Sequence, residues 1–265
     1  MMIKKVDDII NTLSKESKPY QWVMQKFSDL EELKGLKLDL QTLELMGLKL
    51  ALNKNNSLSL QTRNNLIKNE IFCIVDIEST GGIKSGEILE IGAVKLQNNK
   101  EISRFESLIK VEEIPEKITE LTGINLEMVQ NAPSLKKVLA DFRLFLQDSV
   151  FVAHNVRFDY GFISKALNDC NFGILLNRRI CSVEFAQTCI QSPKYNLSTL
   201  KELLGINNIH HRALSDALAA TEIFKYCLSK LPFYIKTTEE LIRFSKTAKI
   251  KQEETQTNLF DNVSC

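Results

Sequence analysis

Asp76 and Glu78 stand two residues apart at the end of the apolar run Ile71-Phe72-Cys73-Ile74-Val75, so the period of two in a strand aims both carboxylates to one side. Two further acids occupy comparable places. Asp159 follows the run Val150-Phe151-Val152-Ala153 in the segment His154-Asn155-Val156-Arg157-Phe158-Asp159, and Asp216 lies in His210-His211-Arg212-Ala213-Leu214-Ser215-Asp216-Ala217. Each alone has a plain alternative: a solvated strand end for the pair, and a helix N-terminal acid stabilised by the dipole for Asp159. Together they lie where α/β folds place their sites, and carboxylates that converge there repel one another unless cations sit between them. Oxygen ligation suits Mg²⁺ or Mn²⁺, and two such ions about 3.5 to 4 Å apart clamp the attacking and leaving oxygens of a phosphoryl displacement. An imidazole, with an ordinary pKa of about 6.5, is suited to take a proton from water at such a site, and His211 is the candidate. A spacing of five from Asp216 is roughly 140° around an ideal helix, so both face one site only if His211 belongs to the loop before the helix. His210 reads as an exposed neighbour.

These residues need strands and helices to hold them. Residues 71–75 read as a strand buried on both faces. Residues 88–96 and 102–109 follow as a hairpin around the Asn98-Asn99 turn, and 150–153 and 179–183 as further strands. Between them, residues 134–147 place Leu135, Val138, Leu139, Phe142 and Leu146 on one helical face, and 158–167, 197–204 and 213–228 are predicted helices. Strands interleaved with helices of this size make an α/β domain over residues 70–232. Before it, residues 1–66 carry helical periodicity at 6–13, 20–27 and 39–46, then the alternating Leu48-Lys49-Leu50-Ala51-Leu52, a polar turn and Ser57-Leu58-Ser59-Leu60, which describe a small winged-helix-like module. Residues 61–69 read as a linker. Residues 233–265 hold one more helix, at 238–244, and a polar tail.

The segments Ile74-Val75-Asp76-Ile77-Glu78-Ser79-Thr80-Gly81, Glu87-Ile88-Leu89-Glu90-Ile91-Gly92-Ala93-Val94, Leu121-Thr122-Gly123-Ile124, His154 to Asp159 and His211 to Ala217 resemble, in order, the motifs of the DEDDh 3′ to 5′ exonucleases. Within that family they are most similar to the proofreading (epsilon, DnaQ-type) subunits of bacterial DNA polymerase III. The resemblance implies a ribonuclease-H-like mixed sheet flanked by helices, with Asp76, Glu78, Asp159 and Asp216 as ligands of two Mg²⁺ or Mn²⁺ ions and His211 as general base. It also implies that Thr80, Leu121, His154 and Phe158 hold the terminal nucleotide. Ser79 stands where many relatives have Thr, and Thr122 where some have histidine. Stacking on Phe158 suits an unpaired 3′ end, because every base offers a π-face; its alternative is a core phenylalanine.

Composition sets the outer limits. The chain has 265 residues, 44% hydrophobic and 25% charged, with a net charge of +1, so a polyanion must be held by a local patch or by metal rather than by the whole surface. No apolar run approaches the roughly 18 residues of a membrane span, and the acidic N-terminal stretch lacks a signal peptide's apolar core, so a cytoplasmic protein is expected. The cysteines Cys73, Cys170, Cys181, Cys189, Cys227 and Cys265 form no Cys-x-x-Cys pair and read as reduced thiols. For the winged module, nucleic-acid or polymerase binding stands against simple packing, and its candidate recognition helix is acidic. In the tail, Gln256-Thr257-Asn258-Leu259-Phe260 resembles the peptide by which bacterial replication proteins dock on the sliding clamp, with Gln256, Leu259 and Phe260 as contacts. The expectation is a metal-dependent exonuclease that trims single-stranded or frayed DNA 3′ ends to 5′-mononucleotides beside the DNA polymerase III catalytic subunit and the clamp. Its alternatives are an RNA-trimming or repair enzyme of the same family, or a non-catalytic adaptor between polymerase and clamp.

Overall fold

The computed structural model describes residues 2–207 and 211–247; His210 and the tail contacts Gln256, Leu259 and Phe260 lie outside them. The chain runs α1 (Met2–Lys15), β1 (Lys18–Pro19), α2 (Tyr20–Ser28), α3 (Leu40–Leu45), β2 (Leu50–Leu52), β3 (Ser57–Leu60), β4 (Ile71–Ser79), β5 (Ile88–Gln97), β6 (Lys100–Leu108), α4 (Glu116–Thr122), α5 (Leu126–Val129), α6 (Leu135–Leu146), β7 (Val150–Ala153), α7 (Val156–Asp169), β8 (Arg179–Cys181), α8 (Ser182–Cys189), α9 (Leu197–Leu204), α10 (Ala213–Ser229) and α11 (Thr238–Phe244). Among the described residues no helix is long and apolar enough to cross a membrane.

The larger sheet has the order β6-β5-β4-β7-β8. β5 pairs antiparallel with both β4 and β6, whereas β7 runs parallel to β4 and β8, the mixed sheet expected. Period-two alternation divides β4 between two cores. Cys73, Val75 and Ile77 pack with Val138, Phe142 and Leu146 of α6 and Ile163 of α7, while Phe72 and Ile74 pack with Phe185 of α8, Ile223 and Phe224 of α10 and Leu241 of α11. Burying each such side chain is worth about 1.5–3 kcal/mol. Asp76 and Glu78 continue the Phe72–Ile74 alternation beyond the point where apolar packing ends, so the face that builds the α10 core also delivers the acids.

In the N-terminal part, α1, α2 and α3 close over a small sheet of order β1-β3-β2. The expected two-stranded wing has gained a third strand, since Lys18 and Pro19 pair with Leu58 and Ser57. This module is joined to the rest through its core, which includes Ile174 and Leu176 alongside Leu13, Phe27 and Leu43. Leu176 N–H donates to the Met46 carbonyl at 2.8 Å, and Arg179 meets Asp7 at 2.6 Å. Gly47, at φ +98°, sits against Asn177, and a Cβ there would fall 2.0 Å from the Asn177 side-chain oxygen. The C-terminal end of the candidate recognition helix is therefore docked on the α/β part.

Other local expectations are corrected. Residues 61–69 are not a free linker but short 3-10 turns tied to α11: Thr62 donates to Glu239 at 2.9 Å, Thr238 N–H to the Asn65 carbonyl at 2.9 Å, and Ile67 N–H to the Lys236 carbonyl at 3.0 Å. The strand expected over 179–183 ends at Cys181, and helix α8 begins at Ser182, turning Phe185 and Ala186 into the core. Two helices that periodicity did not announce, α4 and α5, are fixed by their starts: Pro115 precedes α4, and the Asn125 side chain accepts from Met128 N–H at α5.

Candidate active site

Register brings the acids together. Asp76 pairs with Gly92 and Glu78 with Glu90 across β4 and β5, so Asp76, Glu78 and Glu90 project from one face, the face that α10 covers. The close approach of α10 depends on Gly92: a Cβ at that position would lie 2.1 Å from Leu214 N and 2.2 Å from Ala213 C. Backbone cannot yield as a side chain can, so Gly92→Ala must lift the start of α10, and Asp216 with it. We expect that variant to lose about 3 kcal/mol of stability, read by thermal unfolding.

Asp159 approaches from α7, where its Oδ1 accepts from Ile77 N–H at 3.2 Å, between the two acids of β4. Asp216, in the first turn of α10, accepts from His211 N–H through Oδ2 at 3.0 Å. His211 precedes the helix, as the spacing argument required, with φ at 60°, a left-handed conformation uncommon outside glycine. One ligand atom each from Glu78, His211 and Asp216 lie within 4.8 Å of one another, a separation that ligand distances of about 2.0–2.6 Å allow across a single cation.

The electrostatics describe a site built for positive charge. Burial, followed by the charges of Asp159, Glu78, Asp216 and Glu90, raises the Asp76 carboxyl well above the ordinary range. Burial, then Asp216 and Glu90, pushes Glu78 up to about 7, against the opposing charge of Arg212. Burial raises Asp159 to about 7, although backbone N–H donors, including that of Ile77, oppose it. Carboxyls this crowded ionise readily only where a cation offsets their charge, and the all-oxygen donor set of Asp76, Glu78, Asp159 and Asp216 fits Mg²⁺ or Mn²⁺.

Three residues that the sequence left without a role complete the site. Glu90 is fully buried within an apolar strand; it accepts from Arg212 Nη2 at 2.7 Å, from Arg212 Nε at 3.1 Å and from Ala213 N–H at 2.9 Å. The His211 turn is thus clamped on one side by Asp216 and on the other, through Arg212, by Glu90. A charged residue amid Ile88, Leu89 and Ile91 was the available signal, because a buried carboxylate demands a partner. Lys201 of α9 is the third: it is 3% exposed, and its ammonium, lowered by burial, is held up by the charge of Asp216.

The expected nucleotide contacts divide. Leu121 is 53% exposed at the end of α4, available for an apolar contact. Phe158 is half-buried and meets Phe162 edge-on at 5.8 Å between centroids. Thr80 Oγ1 accepts from Glu87 N–H at 2.8 Å and closes the turn between β4 and β5. His154 Nε2 faces the Tyr195 carbonyl at 2.9 Å and must donate, leaving Nδ1 to accept from the Ser182 hydroxyl at 3.0 Å. Burial pushes its pKa down to about 4. A neutral ring with both nitrogens engaged pins the start of α7 to α8 and to the loop before α9. Thr122 is also turned inward, donating to the Ile118 carbonyl at 2.8 Å.

The RNase_T model, described as "Exonuclease", matches residues 73–224. Among curated proteins, the chain is 38% identical over 157 residues to a DNA polymerase III PolC-type of Thermotoga maritima, covering 58% of this chain and 11% of that protein. It is 34% identical over 184 residues to the 3′-5′ exonuclease DinG of Staphylococcus epidermidis, covering 67% of this chain and 20% of that protein. The chain therefore spans a minor part of the curated relatives it matches. Among solved structures, E. coli Exonuclease I in complex with a dT13 oligonucleotide superposes with a TM-score of 0.56 at 16% identity, covering 61% of this chain and 42% of that one. Exonuclease X in complex with 5′ overhanging duplex DNA gives a TM-score of 0.51 at 23% identity, over 66% of this chain and 99% of that one. These likenesses establish the fold.

Proposed function

The chain belongs to the RNase_T exonuclease family, and from that membership we propose that it is a metal-dependent 3′ to 5′ exonuclease that removes 5′-mononucleotides from single-stranded or frayed DNA ends. The convergence of Asp76, Glu78, Asp159 and Asp216 beside His211 is the observation that carries the reading. The names of the PolC-type and DinG relatives support DNA as substrate and the 3′ to 5′ direction. In this reading Leu121 and Phe158 hold the terminal nucleotide, the four carboxylates hold two Mg²⁺ or Mn²⁺ ions, and His211 takes the proton of the attacking water. When bound, the ions supply the positive charge that offsets what develops on the phosphoryl oxygens. Arg212, tied to Glu90, keeps the His211 turn in place, and Gly92 keeps Asp216 within reach.

A proofreading role belongs to the same proposal: the enzyme works in the cytoplasm beside the DNA polymerase III catalytic subunit, with Gln256, Leu259 and Phe260 of the tail as contacts to the sliding clamp. Digestion of matched and 3′-mismatched primers tests it. Because melting a matched end costs a few kcal/mol, mismatched and single-stranded ends should be cut roughly tenfold faster or more, and only with Mg²⁺ or Mn²⁺ present. A strong preference for RNA of the same sequence would move the assignment to RNA trimming, and no hydrolysis at all would leave the adaptor reading.

A further inference from the structure

A cavity of about 620 Å³ opens beside the site, and three parts of the chain line it: Asp7 of α1, the residues Arg157 and Tyr160 of α7 with Arg179 and Glu184, and Lys246 after α11. Its place follows from the sheet. Ile74 pairs with Val152, and Ala153 with Cys181, so the C-terminal ends of β4, β7 and β8 share one edge. The acids stand at the end of β4 and the cavity at the end of β8, two strand spacings or about 10 Å apart. Arg157, one residue before Phe158 and two before Asp159 in α7, lines the cavity.

The charges in the cavity are unevenly matched. Arg179 is bonded to Asp7 at 2.6 Å and lies over the Tyr160 ring, and the neighbouring Arg178 is engaged by Glu239. Lys246 and Arg157 are exposed, and among the described residues neither has a carboxylate within ion-pair distance. Lys246 is crowded by Arg178 and Arg179, with only Glu184 and Asp7 opposing them. The first turn of α7, a helix of 14 residues whose N-cap side chain makes no capping bond, adds its own positive end to the same wall. In a chain of net charge +1, such a local surplus is a specific feature.

We propose that this cavity is a phosphodiester-binding cleft that takes the backbone of the single strand a few nucleotides from its 3′ end, with Arg157 and Lys246 as its phosphate contacts. The proposal rests on the exonuclease reading and deepens it. Two of its walls, Asp7 and Lys246, lie outside residues 73–224 matched by the family model. The N-terminal module then contributes by bracing Arg179 through Asp7, and the acidic α3 need not read DNA.

The test is the double variant Arg157→Gln with Lys246→Gln in the full chain. Both positions are exposed, and unchanged thermal unfolding confirms the fold. With oligothymidylates as substrates, kcat/KM for a dinucleotide should stay within twofold of the unaltered chain, while KM for a dodecamer rises roughly tenfold. The salt slope of dodecamer affinity should fall by about 1.4, close to 0.7 for each lost phosphate contact. Fluorescence anisotropy with a labelled dodecamer in EDTA reads the same loss without hydrolysis, so it decides the cleft even if the unaltered chain hydrolyses nothing, a result that would count against the exonuclease reading alone. Unchanged dodecamer affinity, or an equal loss on the dinucleotide, overturns the cleft.

Discussion

Asp76→Asn and Asp216→Asn should each lower exonuclease activity by roughly three orders of magnitude or more while making the metal-free protein harder to unfold. Asparagine removes charge and little else: at position 216 it retains an oxygen to accept from His211 N–H, the bond that Asp216 now makes at 3.0 Å. The gain in stability follows from the crowding of the site. Glu78 and Asp159 are pushed up to about 7 and Asp76 is raised well above its ordinary value, whereas in the unfolded chain such carboxyls titrate near ~4. Between about pH 4 and pH 7 the native state therefore binds more protons than the unfolded one, and the metal-free protein loses stability as pH rises through that window. Removing one acid relieves part of that penalty, on the order of 1–3 kcal/mol after allowance for solvent around the half-buried Asp76 and Glu78, or several degrees in Tm for a chain of this size. Saturating Mg²⁺ should flatten the pH slope of the unaltered protein, because a cation favours the ionised carboxyls. Thermal unfolding between pH 4 and pH 8, with EDTA or Mg²⁺, reads all of this. Full activity in either variant, or a metal-free stability indifferent to pH, would remove the metal site from the assignment.

The acids were legible because they depend on local pattern. A β-branched apolar run announces β4, alternation then aims Asp76 and Glu78, and the break between Ala153 and α7 marks the segment that carries Asp159. The mixed sheet and helices α6, α9, α10 and α11 were legible for the same reason: their core faces repeat within a dozen residues. What could not be read were partnerships between distant segments. Glu90 and Arg212 are 122 residues apart, and neither states in its own neighbourhood that it needs the other. The partners of His154, Ser182 and Tyr195, come from α8 and from the loop before α9, and a histidine near these acids looks the same in sequence whether its nitrogens are engaged or open. Residues 61–69 are polar and turn-rich, which locally means a linker; only Glu239 and Lys236, far along the chain, convert them into a seam. Helix α8 was hidden for another reason: Arg179 to Val183 is a good strand in composition, and it stops at Cys181 because Val183 and Phe185 find their packing in a helix.

His211 gives the second large effect, and the choice of substitution matters because of its backbone. With φ at 60°, the residue occupies a conformation that asparagine adopts more easily than alanine, so His211→Asn removes the imidazole without adding strain, whereas His211→Ala does both. The two variants should share a fall in kcat of roughly 10² to 10⁴, the usual worth of a positioned general base, and only the alanine variant should also unfold earlier, by on the order of 1 kcal/mol. KM for a single-stranded oligonucleotide should hardly move, since the contacts proposed for the strand belong to Leu121, Phe158 and the cleft near Arg157. At saturating Mg²⁺ the carboxylates are already ionised, so the loss of rate on the acidic side belongs to the base, and it should vanish from the residual activity of His211→Asn. Glu90→Gln supplies the control for position: it keeps the imidazole but weakens the hold on Arg212, so kcat should fall while the acidic limb remains. If His211→Asn instead raises KM and leaves kcat intact, His211 binds the strand, and the proton must leave by another group.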